Sequence, residues 1–197
     1  MTAHAMSGAG HDAGDAVAAR SNMLIAVRLA ILSEAMLFAA FFAAYFVIRS
    51  ETGGWPPAGQ ERPELILPGF NTFLLLSSSV TMQWSVRSIG RGNVAGMRRG
   101  LWLTLLLGTL FMFIQGYEFA TNGFELGDGV FGATFYTLTG FHGAHVLAGL
   151  ILMAILAGRA RKGLITPEGH TALEGTSYYW HFVDVVWVVL FSTVYVL

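Results

Sequence analysis

Five apolar runs, at about residues 23–48, 67–89, 100–119, 131–158 and 175–197, decide what this chain can become. Each is long enough to cross the roughly 30 Å hydrocarbon layer of a bilayer as an α-helix, which takes about 20 residues. Lipid offers the backbone no hydrogen bonds, so such runs must satisfy their own as helices. Between them lie turn-formers and charges: RSETGGWPPAGQERPE, RSIGRGNVAGMRR, TNGFELGDG and GRARKGLITPEGH. Only 12% of the residues are charged and 54% are hydrophobic, where a soluble domain carries roughly 25% charge. The expected fold is all-α, an integral membrane bundle of five transmembrane helices.

Residues 1–22 read as a loosely ordered polar tail, with neither the apolar stretch of a signal peptide nor the Arg-rich pattern of a transit peptide. Residues 23–197 form one transmembrane domain without an internal repeat. With the N-terminus inside, the inner side carries Arg20, Arg28, Arg87, Arg91, Arg98, Arg99, Arg159, Arg161 and Lys162. The outer side holds Arg49 and Arg62, which makes nine against two. The positive-inside rule then places the N-terminus in the cytoplasm and the C-terminus outside. A net charge of −1 gives no electrostatic case for nucleic acid. The absence of cysteine excludes disulfides, iron–sulfur clusters and thiolate metal sites. Two rows of small residues at every fourth position, Ala35, Ala39, Ala43 and Gly140, Ala144, Ala148, predict close helix packing. Ser77, Ser78 and Ser79 are able to bond across a helix interface or back to their own backbone.

The chemistry-bearing residues are those that cost most to bury. Placed by depth at about 1.5 Å per residue, Glu34, His142, His145 and Asp184 fall near mid-membrane, with His181 about one turn nearer the inner face. Glu118 falls near the outer end of the third run, within expected reach of water. His181 and Asp184 stand three apart on one helical face, within reach of each other or of a shared partner, and His142 and His145 repeat the spacing. Glu34 has only Ser33 as a local polar neighbour. Three readings compete: hydrogen bonds that tie the bundle together, haem or metal ligation by the histidines, and a proton or ion path through Glu34 and Asp184. The residues alone leave all three open.

Motif order adds a resemblance. SEAMLFAAFFAAYF, WPP, NTFLLLSSS, QGYEF, DGVFG, FYTLTGFHGAHVLAGL and YYWHFVDVVWVVLFSTVY follow one another from about residue 30 to the C-terminus. In this they resemble subunit III of the haem–copper respiratory oxidases. The resemblance implies a proton-pumping terminal oxidase of aerobic electron transport in the bacterial inner membrane, with this chain as a non-catalytic subunit. It implies no cofactor bound by the chain itself, with haems and copper in partner subunits. Subunit I would be the main contact, with subunit II and membrane phospholipids beside it. The role implied is support of subunit I stability, lipid contact and proton uptake. Glu34 matches the family's intramembrane carboxylate and a possible site of lipid or proton-uptake support. Glu118, His142, His145, His181 and Asp184 match its signature polar positions.

The longest family members have seven spans, and this chain begins with what looks like their third. Glu34, WPP and DGVFG resemble the cytochrome c type, since quinol types tend to carry Asp at the position of Glu34. A quinol oxidase subunit is the alternative, and a free-standing membrane haem protein or proton carrier is the alternative of a different class.

Overall fold

The computed structural model describes residues 3–52, 55, 57, 65–123, 126, 127 and 129–197, with the side chains of the first helix at position 14 and from 17 onward. Arg62, Pro56 of the WPP motif and Asp128 of the DGVFG motif lie outside the described residues. Among the described residues every regular element is helical: α1 (Ala3–Glu51), α2 (Ile66–Gly90), α3 (Val94–Thr121), α4 (Gly129–Arg161) and α5 (Thr171–Leu190), which continues as a π-helical turn over Phe191–Val196. All five apolar runs lie within these elements, apart from Leu197 at the end of the last. The segment expected as a loose polar tail over 1–22 is helical from Ala3 on.

Among the described residues four stretches have both the length and the composition to cross a membrane: Val17–Glu51, Val94–Thr121, Gly129–Arg161 and Thr171–Val196. At 25 residues α2 has the length but is more polar. Its polarity is turned inward. Buried positions on α2 include Asn71, Leu75, Ser78, Met82, Ser85 and Ile89, and those on α3 include Met97, Leu101, Thr104, Gly108, Phe111, Gln115 and Glu118. Alternating steps of four and three are the spacing of a coiled-coil seam. Across this seam Asn71 Nδ2 donates to Phe111 O at 3.2 Å and Ser85 Oγ to Met97 O at 2.8 Å, while Thr81 and Thr104 share a bond of 2.8 Å. The turn between the two helices needs Gly92 at φ 76°, and Asn93 Oδ1 caps α3 by accepting from Gly96 N at 2.8 Å.

The same contacts fix direction. Asn71 meets Phe111 while Ser85 meets Met97, so α2 and α3 are antiparallel. Thr72 meets Trp187 while Ser79 meets His181, so α2 and α5 are antiparallel too. Arg20 meets Glu174 near the start of α5 and Arg49 meets Leu197 past its end, so α1 and α5 run in parallel. The first and last helices therefore begin at one end of the bundle and finish at the other. That starting end gathers all nine of the basic residues assigned above to the inner side, with Arg28 over the Tyr178 ring and Arg161 over Trp102.

At the centre stands α5, with Trp180 and Trp187 wholly buried. Trp180 Nε1 donates to Ser78 Oγ and Trp187 Nε1 to Thr72 Oγ1, each at 2.9 Å. Close approach depends on glycines the sequence reading passed over. A Cβ on Gly100 would lie 2.9 Å from the Ser85 backbone, one on Gly108 2.9 Å from Trp180, and one on Gly149 2.8 Å from Trp180. The two expected small-residue rows do not join these helices: Ala39, Ala43, Ala144 and Ala148 are exposed, and Ala35 and Gly140 only half-buried. They face away from the seam that the large aromatic side chains of α5 occupy.

Helix α1 is the least covered, with 11% of its most apolar window buried against 50% for the last helix. Polar bonds fasten it along its length: Arg20 to both carboxylate oxygens of Glu174 at 2.9 Å, Glu34 to His145 at 3.0 Å, the Tyr45 hydroxyl to Thr193 O at 2.8 Å, and Arg49 to Leu197 O at 2.7 Å.

Candidate functional site

The polar residues singled out from the sequence do not converge on one centre. They sit in separate places between different helix pairs, each with its own geometry.

Between α1 and α4, Glu34 Oε2 lies 3.0 Å from His145 Nε2. His145 Nδ1 lies 2.7 Å from the Phe141 carbonyl, one turn back on its own helix. A carbonyl oxygen only accepts, so Nδ1 carries a hydrogen. Nε2, on the other edge of the ring, faces the Glu34 carboxyl group, so the imidazole links α4 to α1. Tyr179 of α5 donates its hydroxyl to His145 O at 3.1 Å, and Phe38 sets its ring against the imidazole at 4.9 Å. Ser33, the local partner the sequence offered to Glu34, instead donates to Ala30 O at 2.7 Å.

Between α2 and α5, His181 Nδ1 lies 2.6 Å from Ser79 Oγ and Nε2 lies 3.3 Å from Gln83 Oε1. Gln83 Oε1 accepts, so Nε2 carries the hydrogen and Nδ1 accepts from Ser79: both nitrogens of a neutral ring are used. Of the three serines, Ser79 and Ser78 therefore bond to α5, whereas Ser77 donates back to Phe73 O at 2.8 Å. Asp184 is buried beside Ser79, and neither of its carboxylate oxygens has a hydrogen-bond partner. The expected His181–Asp184 contact is thus absent. Spacing put the two on one face, but the imidazole turns to α2.

His142 also departs from expectation. It does not pair with His145; it is fully buried with neither ring nitrogen bonded, tilted against Trp187 at 4.9 Å and edge-on to Phe111 at 6.0 Å. Glu118 was expected near water and is buried instead, facing Tyr195. Among the described residues no group of three or more His, Cys, Asp or Glu side chains could hold a metal ion.

The sequence reading missed Gln83, Asn71, Gln115, Tyr45 and Tyr195. Two had a signal: Asn71 shares the seven-residue repeat of Ser78 and Ser85, and Gln115 stands three before Glu118. Tyr45 and Tyr195 had none.

Comparison with known proteins now has a geometry to refer to. The family model described as cytochrome c oxidase subunit III matches residues 5–197. The chain is 40% identical over 168 residues to cytochrome c oxidase subunit 3 of Thermostichus vulcanus, covering 85% of this chain and 83% of that protein. It is 44% identical over 167 residues to the probable cytochrome c oxidase subunit 3 of Mycobacterium leprae, covering 83% and 82%. With the Rattus norvegicus cytochrome c oxidase subunit 3 it shares 39% identity over 173 residues, covering 85% of this chain and 66% of the rat protein.

Proposed function

The chain belongs to the cytochrome c oxidase subunit III family, and on that footing we propose that it is the third subunit of a proton-pumping oxidase that takes electrons from cytochrome c. Membership makes it part of a multi-subunit oxidoreductase complex of a membrane. In the proposed arrangement all five helices cross the bacterial inner membrane, the basic end faces the cytoplasm and the C-terminus faces out. The antiparallel pairing of α2 with α3 supports counting α2 as a span. The chain binds no redox group of its own. Haems and copper belong to partner subunits, with subunit I as the main contact, subunit II in the same complex and phospholipids at the interface. The relatives named above are cytochrome c oxidase subunits, which supports cytochrome c over quinol as the donor.

One observation carries the accessory role. The ring nitrogens of His145 and His181 are committed to Phe141, Glu34, Ser79 and Gln83, so these side chains fasten helices to one another. Among the described histidines His142 alone keeps both nitrogens without a bond. The test is a reduced-minus-oxidised spectrum of the tagged chain purified in mild detergent, before and after its partners are stripped away, together with turnover on cytochrome c and on a quinol. Haem bands that leave with a large partner, and turnover on cytochrome c, are the expected result. Haem retained by the isolated chain would overturn the accessory role and point to His142.

A further inference from the structure

Facing sides of α3 and α4 share one pattern. On α3, Arg98, Trp102, Leu105, Thr109 and Met112 follow at steps of four and three. On α4, Arg161, Gly158, Ala154, Ile151 and Leu147 step by three and four in the other direction. Residues so spaced lie along one side of a helix. From Leu105 to Met112 and from Leu147 to Ala154 they line a groove of about 460 Å³ between the two helices. Phe113, Leu147 and Ile151 on its walls are exposed, so the groove opens sideways. Gly158 carries it on toward the basic end, where an added Cβ meets nothing within 4 Å.

The two arginines at its head stand at one height. Trp102 meets Arg161 while Phe119 meets Tyr136, so α3 and α4 are antiparallel. A Cβ on Gly108 would lie 2.9 Å from Leu150, which makes these two positions level. Arg98 is ten residues from Gly108 and Arg161 eleven from Leu150, both toward the basic end. At 1.5 Å per residue each lies about 15 Å beyond that level. Gly108 is at the middle of α3 (Val94–Thr121), and half the hydrocarbon layer is about 15 Å deep. Both guanidinium groups therefore reach the headgroup boundary, where Trp102, exposed beside them, is also at home. Arg161 lies over the Trp102 ring at 4.5 Å. That stacking holds the guanidinium by its face and leaves its edge of N–H donors to phosphate oxygens. Among the described residues neither arginine, nor Lys162 next in the chain, belongs to an ion pair.

We propose that the α3–α4 groove binds an anionic phospholipid of the inner leaflet, with its phosphate on Arg98 and Arg161 and an acyl chain along Gly158, Ala154, Ile151 and Leu147. Charge selects the headgroup. An anion offsets the basic corner, whereas the ammonium of a zwitterionic headgroup adds to it; basic pockets between helices on the cytoplasmic side suit anionic lipids for this reason. The apolar groove selects the chain, since the stretch from Arg161 to Leu147 covers about 21 Å and so spans the depth of a leaflet. Placement in the inner leaflet rests on the orientation proposed above, with the basic end in the cytoplasm.

The test is photolabelling of the intact oxidase complex in phosphatidylcholine vesicles. These carry a trace of phosphatidylglycerol, or of phosphatidylcholine, with a diazirine on one acyl chain, and labelled peptides are measured by mass spectrometry. The phosphatidylglycerol probe is expected to label Leu105–Met112 and Leu147–Ala154 in clear preference to the phosphatidylcholine probe. That preference is expected to fall about fivefold with each arginine replaced, in Arg161→Gln and then in Arg98→Gln with Arg161→Gln. Arg91→Gln, an exposed residue at the same end, is expected to leave it unchanged. Equal labelling by the two probes would overturn the site, as would a preference that survives the double variant. An equal fall in Arg91→Gln would overturn it too, since that marks diffuse surface charge, and a groove labelled by neither probe marks a protein neighbour instead. If the double variant does not assemble, Arg161→Gln against Arg91→Gln decides. Orientation is read separately: labelling of Gly90→Cys in whole cells by an impermeant maleimide would sink the cytoplasmic placement alone, and the comparison of probes would still judge the lipid.

Discussion

Replacing Gly149 by alanine puts a methyl group where Trp180 already stands. The new Cβ would lie 2.8 Å from Trp180 Cε3 and 2.9 Å from Cζ3, where ordinary contact begins at 3.4 Å. The indole must therefore retreat by about 0.6 Å, the difference of those two distances, and it has nowhere to go. Its far edge meets Gly108, where a Cβ would already be 2.9 Å away, and its Nε1 is tied to Ser78 Oγ at 2.9 Å. Overpacking of this kind costs roughly 1–3 kcal/mol, partly offset by the ~0.5–1 kcal/mol that alanine gains over glycine in a helix. The middle of each range leaves a net destabilisation of about 1 kcal/mol. In domains of this size that corresponds to a midpoint lower by roughly 2–4 °C. The assay is the thermal midpoint for loss of folded subunit from the purified complex. Gly140→Ala on the same helix is the control, because a Cβ there meets nothing within 4 Å; its midpoint is expected to stay level or rise slightly. Equal midpoints for Gly149→Ala and the wild type would refute the claim that glycine is needed where α4 approaches α5.

Further outcomes follow from the polar contacts. Glu34→Leu strands His145 Nε2 and is expected to lower subunit stability by about 1–3 kcal/mol, whereas Glu34→Gln keeps a bonding group and is expected to lose under about 1 kcal/mol; the same thermal midpoints check both. His181→Phe strands Ser79 and Gln83 and is expected to cost about 1–3 kcal/mol, while Asp184→Asn breaks no bond to His181 and is expected to leave assembly yield near wild type; comparing yields of the purified complex separates the two. Glu174→Gln removes an ion pair whose Arg20 side is half exposed, so a loss of no more than about 1 kcal/mol, shrinking in high salt, should appear in midpoints taken at low and high ionic strength.

Helix positions and the basic end were legible because length, hydropathy and charge act locally along the chain. The seam of α2 and α3 was passed over: Asn71, Ser78 and Ser85 recur every seven residues, but the rest of the four–three alternation mixes polar with apolar residues and shows only in the burial. Partner choice was not legible either. A spacing of three places His181 and Asp184 on one face of α5, yet says nothing of whether α2 offers better partners, and Gln83 as acceptor with Ser79 as donor does. The small-residue rows misled for a related reason. Alanine at every fourth position permits close approach, but closeness is set by what the opposing helix brings, and Trp180 requires glycine at 108 and 149. Glu118 was misplaced because depth along the axis fixes height in the membrane without fixing which way a side chain turns.

The mode of attachment of α1 has a consequence for anyone who extracts this protein. A helix with so little of its apolar surface covered is retained by polar clasps at Arg20, Glu34, Tyr45 and Arg49 together with a few buried rings, Phe38 and Tyr45 foremost. Such clasps are strong where water is scarce and weaken where it enters. A detergent that lets water reach the α1–α5 groove should loosen this one helix while the α2–α3–α4–α5 body stays closed, and a protease cut or cross-link between α1 and α5 would report the release before any loss of overall helicity.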